Sequence, residues 1–238
     1  MQTEGMLRPE DCVTFQVALI GTDGLVVGSD RKAVYPSPAV QAQPVIQRTE
    51  QPKFKKNKTN SIVSFYAGGA DSAKQASEIS RHVAIQDDEQ LWESSLENAS
   101  RRVHRIGRDD FLNEILVSRN DRPEMLWLIK SVPPNAVVST VSTVFCTGTY
   151  SDARFLAHRF FRHRQQLSEL RKLALLTLAY AANDNSGSIG GSFDLMTLDR
   201  NRVFSFEHYE SLTDIFSLFD KSLADAFEKL TIPDQNSR

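Results

Sequence analysis

Cysteine, net charge and long apolar runs are all scarce in this chain, and each scarcity removes a class of function. Two cysteines in 238 residues, Cys12 and Cys146, are too few and too far apart for a thiolate metal cluster or a disulfide framework. Such usage fits a reducing compartment, so a cytoplasmic protein is expected. A formal net charge of -2 gives no global attraction to nucleic acid or to an anionic membrane. The opening residues hold no apolar stretch of signal-peptide type, and the run VTFQVALI is short and interrupted by Gln16. Neither a secretory signal nor a spanning helix is expected from it. No internal repeat or low-complexity tract stands out. What remains is a chain with 40% hydrophobic residues, long enough to bury a sizeable core as one domain.

The segment from Val13 to Ala33, VTFQVALIGTDGLVVGSDRKA, reads as two short strands around an Asp23-Gly24 turn. Both turn residues tolerate the positive φ that a tight, strand-matching turn needs. The hairpin returns Thr14, at the start of the first strand, to Asp30 and Lys32 at the end of the second. A hydroxyl, a carboxylate and a cation then meet at one end of a sheet. Taken alone, Thr14 is an ordinary β-branched strand residue.

Three further clusters of small and polar residues follow, each beside an apolar stretch. Lys53 opens the strand-like run KFKKNKTNSIVSFYAGGADS, which ends in Ala67-Gly68-Gly69 before an amphipathic segment with Ala73, Ala76, Ile79 and Val83 at helical spacing. A strand, two glycines and a helix start let backbone N–H groups approach a ligand closely. Thr147-Gly148-Thr149-Tyr150-Ser151 follows the apolar run 137–146. Asp184-Asn185-Ser186-Gly187-Ser188-Ile189-Gly190-Gly191 precedes a strand at 193–198.

The remaining periodicity supplies layers. Helices are expected over 70–86 and 88–106, strands over 115–119, 125–131 and 137–146, a second helix pair over 151–163 and 166–182, and strands over 193–198 and 202–206. A last helix over 209–230 carries Leu212, Ile215, Phe216, Phe219, Leu223 and Phe227 on one broad stripe. Helix pairs alternating with strands is the order of a sandwich of two sheets between helical layers. The segment 31–52 carries Pro36, Pro38, Pro44 and Pro52 and reads as a long connection able to cover or reshape a cleft. Met1 to Glu10 and Ile232 to Arg238 read as tails.

One segment argues for another class. RFLAHRFFRHR, Arg154 to Arg164, interleaves arginines with aromatics and could bind phosphates or nucleic acid. Given the acidic overall balance, it reads better as an amphipathic helix with solvated arginines or a subunit contact. His158 and His163 lie five apart, about 140° around a helix, so one metal would not easily collect both. No metal and no cofactor are expected.

As an ordered set, these motifs resemble the proteasome β-subunit-like peptidases of the N-terminal-nucleophile hydrolases, in their bacterial-type form. The resemblance runs from about Thr14 to Leu198. Thr14 matches the family's mature N-terminal threonine, Asp23-Gly24 its turn, and Asp30-Arg31-Lys32-Ala33 its D-x-[RK]-A motif. Lys53 matches its active-site lysine, with Lys55 as the alternative register. Ala67-Gly68-Gly69 matches the oxyanion turn, Gly148-Thr149-Tyr150-Ser151 the G-S-x-S-like segment, and Ser186 to Gly191 the last glycine-rich turn.

The resemblance implies an α+β fold, a four-layer αββα sandwich of two mainly antiparallel sheets flanked by helices. It implies a leader at 1–13, one domain at 14–230 and a tail at 231–238. The implied function is a threonine-type endopeptidase acting on peptides or unfolded proteins inside a homo-oligomeric ring, with an ATP-dependent unfoldase as partner and no nucleic-acid or membrane partner. Thr14 would be the nucleophile, Lys53 the ammonium beside it, Asp30 its counter-charge, and Gly68 the N–H donor to the oxyanion. Thr149, Asp184 and Ser186 would be hydrogen-bonding groups around the amine. The alternative is a structural ring subunit without hydrolysis that keeps its leader. Val13 favours it, because self-cleaving members usually carry glycine at that position. Tyr150 also stands where a small residue is usual, narrowing the site.

Overall fold

The computed structural model describes residues 14–36, 46–68, 70–104, 112–132, 135–147, 151–184 and 189–228. Gly69, Thr149, Tyr150, Ser186 and the two terminal segments lie outside the described residues. In chain order the strands and helices are β1 (Gln16–Ile20), β2 (Gly24–Asp30), β3 (Lys32–Pro36), β4 (Ile46–Glu50), β5 (Phe54–Lys56), β6 (Ile62–Ala67), α1 (Ala70–His82) and α2 (Glu89–His104). There follow β7 (Asn113–Arg119), β8 (Leu126–Val132), β9 (Asn135–Val141), β10 (Val144–Cys146), α3 (Ser151–Phe160), α4 (Leu167–Asp184), β11 (Phe193–Asp199), β12 (Phe204–Tyr209) and α5 (Thr213–Glu228).

Strand alternation builds three cores from these elements. Val17 and Leu19 of β1 and Val26 of β2 face one way, into a core shared with Leu170, Leu173 and Leu178 of α4. Ala18, Ile20, Leu25 and Val27 face the other way, against Val63, Phe65, Leu116 and Leu128 of the second sheet. On the far side of that sheet, Ile62, Ile115, Val117 and Trp127 meet Ile79 of α1 and Trp92 of α2. Because successive strand side chains point to opposite faces, a strand covered on both sides reads as an unbroken apolar run. That is the physical content of VALI and LVV in the sequence.

The two five-stranded sheets have the orders β10-β1-β2-β11-β12 and β5-β6-β7-β8-β9, antiparallel throughout, and β3 and β4 form a separate two-stranded ribbon. With α3 and α4 outside the first sheet and α1 and α2 outside the second, the architecture is the expected αββα sandwich.

Four local expectations need correction. The Asp23-Gly24 turn is shifted: Gly21 N donates to Gly24 O at 2.9 Å, so Thr22 and Asp23 occupy its centre. Gly24 remains necessary, since φ is +152° and an added Cβ would come within 2.2 Å of Leu198 O. Asp23 Oδ1 instead accepts from Leu167 N at 2.6 Å, capping α4 from a distant part of the chain. The run 137–146 is two strands, the edge of one sheet and the edge of the other, crossing over at Ser142 and Thr143. No glycine or proline punctuates that β-branched run, so composition carried no sign of the break. The proline-rich connection contains the β3–β4 ribbon, with Lys32 paired to Glu50 and Pro36 to Ile46. Lys53 precedes β5 rather than opening it.

Candidate functional site

Hairpin register brings the first two site residues together. Gln16 pairs with Ser29, which sets Thr14 and Phe15 beside Asp30. Phe15 N donates to Asp30 Oδ1 at 3.0 Å, and Asp30 N donates to Phe15 O at 3.3 Å. Thr14 and Asp30 are both buried.

Lys53 reaches the same point from the other sheet. Its Nζ donates to Thr14 Oγ1 at 2.5 Å and to Lys32 O at 2.9 Å, and the whole residue is 5% exposed. Lys55 lies elsewhere, its Nζ 5.9 Å above the Tyr66 ring. Of the two alternative lysines, Lys53 is the one at Thr14.

Burial pushes the Asp30 carboxyl up to about 7, while the Lys53 ammonium and the amides of Phe15, Gly190 and Lys32 pull it back down. A carboxyl so balanced titrates close to neutrality and responds to changes in its neighbours. The Gly190 amide belongs to the glycine-rich turn that the sequence placed near the site. That turn is held from outside: Ser192 Oγ donates to Glu50 Oε2 at 2.7 Å, and Arg31 N donates to Ser192 O at 2.9 Å.

Gly68 sits at the end of β6 with φ +114°, and an added Cβ would lie 2.5 Å from Leu112 O and 2.8 Å from Asn113 Oδ1. Only glycine fits there without strain. Asp184 is exposed at the end of α4, and its charge helps to raise the Tyr180 phenol, after desolvation by burial. The described contacts do not link it to Thr14. Thr149 and Ser186 lie outside the described residues.

The sequence assigned no role to two groups at or beside the site. Thr147 is buried, and its hydroxyl accepts from Gln16 N at 2.7 Å and donates to Thr14 O at 3.1 Å, clamping the main chain on either side of Phe15. Its place follows from the pairing of Val17 with Cys146, a register that composition does not reveal. Asp194, opposite Ser29 on β11, accepts from Arg31 Nη1 at 3.1 Å and lies 3.0 Å from His208 Nδ1. The hydrogen bond to Asp194 holds the His208 imidazole above its ordinary pKa.

A hydroxyl beside a buried ammonium, with a carboxyl next to both and the positive-φ Gly68 turn ending the strand that Gln16 reaches, is suited to nucleophilic attack on a carbonyl. Among the described residues no group of three or more histidine, cysteine or acidic side chains could hold a metal, and no helix is long and apolar enough to cross a membrane. Cys146 is buried with its thiol pushed up to about 12 by desolvation, so it is no candidate nucleophile.

No protein-family model matches the chain, and no curated protein matches it in sequence. Solved structures do match. An Anbu (Gly-1) mutant from Hyphomicrobium sp. strain MC1 has a TM-score of 0.68 at 17% identity, over 93% of this chain and 99% of that one. Anbu from Yersinia bercovieri, described as an ancestral β-subunit, has a TM-score of 0.69 at 16% identity, over 93% and 99%. A helical assembly of the Anbu complex from Pseudomonas aeruginosa has a TM-score of 0.67 at 16% identity, over 94% and 100%. At these identities the likeness is one of fold: the sandwich built here is that of the Anbu proteins.

Proposed function

We propose that this chain is a threonine-type endopeptidase of the proteasome β-like kind, active once the residues before Thr14 are removed. The observation that carries this reading is the Lys53 Nζ to Thr14 Oγ1 contact, made at the strand end where Asp30 also sits. Removal of 1–13 frees the Thr14 α-amine, whose ordinary pKa of roughly 7.7 to 8.0 leaves a useful neutral fraction at pH 7. That amine takes the proton as Oγ1 attacks the substrate carbonyl carbon.

Lys53 favours the developing oxygen anion, and Asp30 balances its charge. The oxyanion of the tetrahedral intermediate receives the Gly68 N–H, a donor of the kind whose loss costs about 2.7 to 4 kcal/mol of transition-state stabilisation. Collapse breaks the peptide C–N bond, and the leaving amine takes the proton from the α-ammonium. Water then hydrolyses the Thr14 ester with the same amine as base. Thr149 and Ser186 are proposed to complete the hydrogen bonding around that amine. Asp184, exposed beside Tyr180, is given no role in the step.

Peptides or unfolded proteins are the substrate class in this reading. We infer self-assembly as well, supported by the assembled Pseudomonas aeruginosa neighbour and by the exposed Phe155 and Phe160 on α3. An ATP-dependent unfoldase is the partner such an assembly would use. Val13 supports a second reading, a structural subunit that keeps its leader, because a β-branched residue crowds attack on its own carbonyl.

Peptide hydrolysis by wild type and Thr14→Ala tests the choice. The peptidase reading expects turnover in wild type and none in the variant at unchanged oligomeric state. Equal turnover in both overturns Thr14 as nucleophile, and no turnover in either leaves the structural subunit.

A further inference from the structure

Gln16 is a fully buried amide in a strand whose other residues are Val17, Ala18, Leu19 and Ile20. Its Nε2 donates to Tyr66 O at 2.8 Å, a bond from the first sheet to the second. Its Oε1 has no hydrogen-bond partner among the described residues. A buried polar atom left unsatisfied costs about 1 to 3 kcal/mol, whereas a net hydrogen bond returns about 0.5 to 1.5. An apolar side chain of similar size would remove that orphaned oxygen but would also take this donor away from Tyr66 O, so the two effects largely offset. Stability does not explain an amide here.

Placement does. Tyr66 fixes the segment from which Lys53 projects: its N donates to Lys53 O at 2.9 Å and its hydroxyl donates to Pro52 O at 2.8 Å. Tyr66 also lies two residues before Gly68 on the same strand end. Thr147 independently pins the Gln16 main chain, accepting from its N at 2.7 Å while Thr147 N donates to Gln16 O at 3.0 Å. One end of the Gln16 side chain is thus anchored two residues from Thr14, and the other holds the strand that supplies the lysine and the glycine turn.

We propose that Gln16 is a positioning residue for the hydrolysis: by holding the Tyr66 carbonyl across the two sheets, it sets the spacing between Thr14 and both Lys53 and Gly68. The proposal rests on the threonine-peptidase reading. It concerns a residue that touches no reacting atom, so its signature is a loss of turnover without loss of binding or of fold.

The test uses the full chain with Gln16→Met and Gln16→Glu. In Gln16→Met we expect kcat to fall about 10²-fold, the scale of an ångström-sized misplacement, with KM changed less than about twofold. The denaturation midpoint should stay close to wild type, and the Asp30 carboxyl, followed by carbon NMR, should titrate above its wild-type position as Lys53 loses its fixed place. In Gln16→Glu the protonated side chain can still donate to Tyr66 O and the ionised one cannot. The ratio of variant to wild-type activity should therefore be greatest at low pH and fall as pH rises.

Wild-type kcat with an unmoved Asp30 titration in Gln16→Met overturns the proposal. So does activity lost in parallel with stability, the mark of a merely structural amide. Should Gln16→Met be too unstable to assay, Gln16→Glu decides: a pH-dependent ratio supports the proposal and a flat one overturns it. Were wild type to hydrolyse no peptide, the peptidase reading would fail, while the Asp30 titration would still report whether Gln16 places Lys53.

Discussion

Lys53 Nζ donates to Thr14 Oγ1 at 2.5 Å across 39 residues of sequence and from one sheet to the other. An ammonium held against a hydroxyl favours the oxygen anion that attack requires, and the low exposure of both groups keeps water from screening it. The same ammonium is the second influence on Asp30, opposing the desolvation that raises its carboxyl.

Removing that ammonium should therefore move Asp30. In Lys53→Met the carboxyl loses a lowering influence, so its pKa rises above the wild-type position near 7. A carbon NMR titration of both proteins checks this. A fall or no change would show that Lys53 does not act on Asp30.

Asp30 also makes stability depend on pH. Its folded pKa of about 7 exceeds the ordinary 3.8, so the fold keeps a proton that the unfolded chain has lost between those values. That contribution is fully present below the unfolded pKa and is lost as pH rises through the folded one. Wild type should lose denaturation midpoint relative to Asp30→Asn across this window. A midpoint difference moving the other way would contradict the burial-raised carboxyl.

Gly68→Ala should destabilise by about 1 to 3 kcal/mol, the usual cost of forcing a side chain into a sparsely populated backbone region. The steric cause is an added Cβ 2.5 Å from Leu112 O. Urea denaturation reads the loss. An unchanged midpoint would mean that the turn relaxes freely and is not held in shape for an oxyanion.

How much of this was legible in the sequence follows from the distance each relation spans. Thr14 and Asp30 belong to one hairpin, whose local register set them side by side. Lys53 and Lys55 lie two apart in one basic run, so sequence spacing alone could not separate them, and only the contact with Thr14 did. Thr147 depends on an edge pairing between Val17 and Cys146, set after the chain leaves one sheet for the other. Gln16 read as an interruption of an apolar run, and its use emerged only once Tyr66 was seen opposite it. The layers themselves were readable because each helix and strand buries a face with its own period, whereas the β3–β4 ribbon was hidden by its prolines.

Cys146 should resist alkylation in the native protein, its thiol being pushed up to about 12 by burial. In a Cys12→Ser background, iodoacetamide should label the chain only after denaturation. Rapid native labelling would show that the floor of β1 and β10 opens.

The most direct test of the central claim is the intact mass of purified protein before and after a threonine-directed electrophile. The account expects a chain beginning at Thr14, carrying one adduct on that residue, and no adduct in Thr14→Ala. A chain that retains Met1 to Val13 and takes up no label would contradict it.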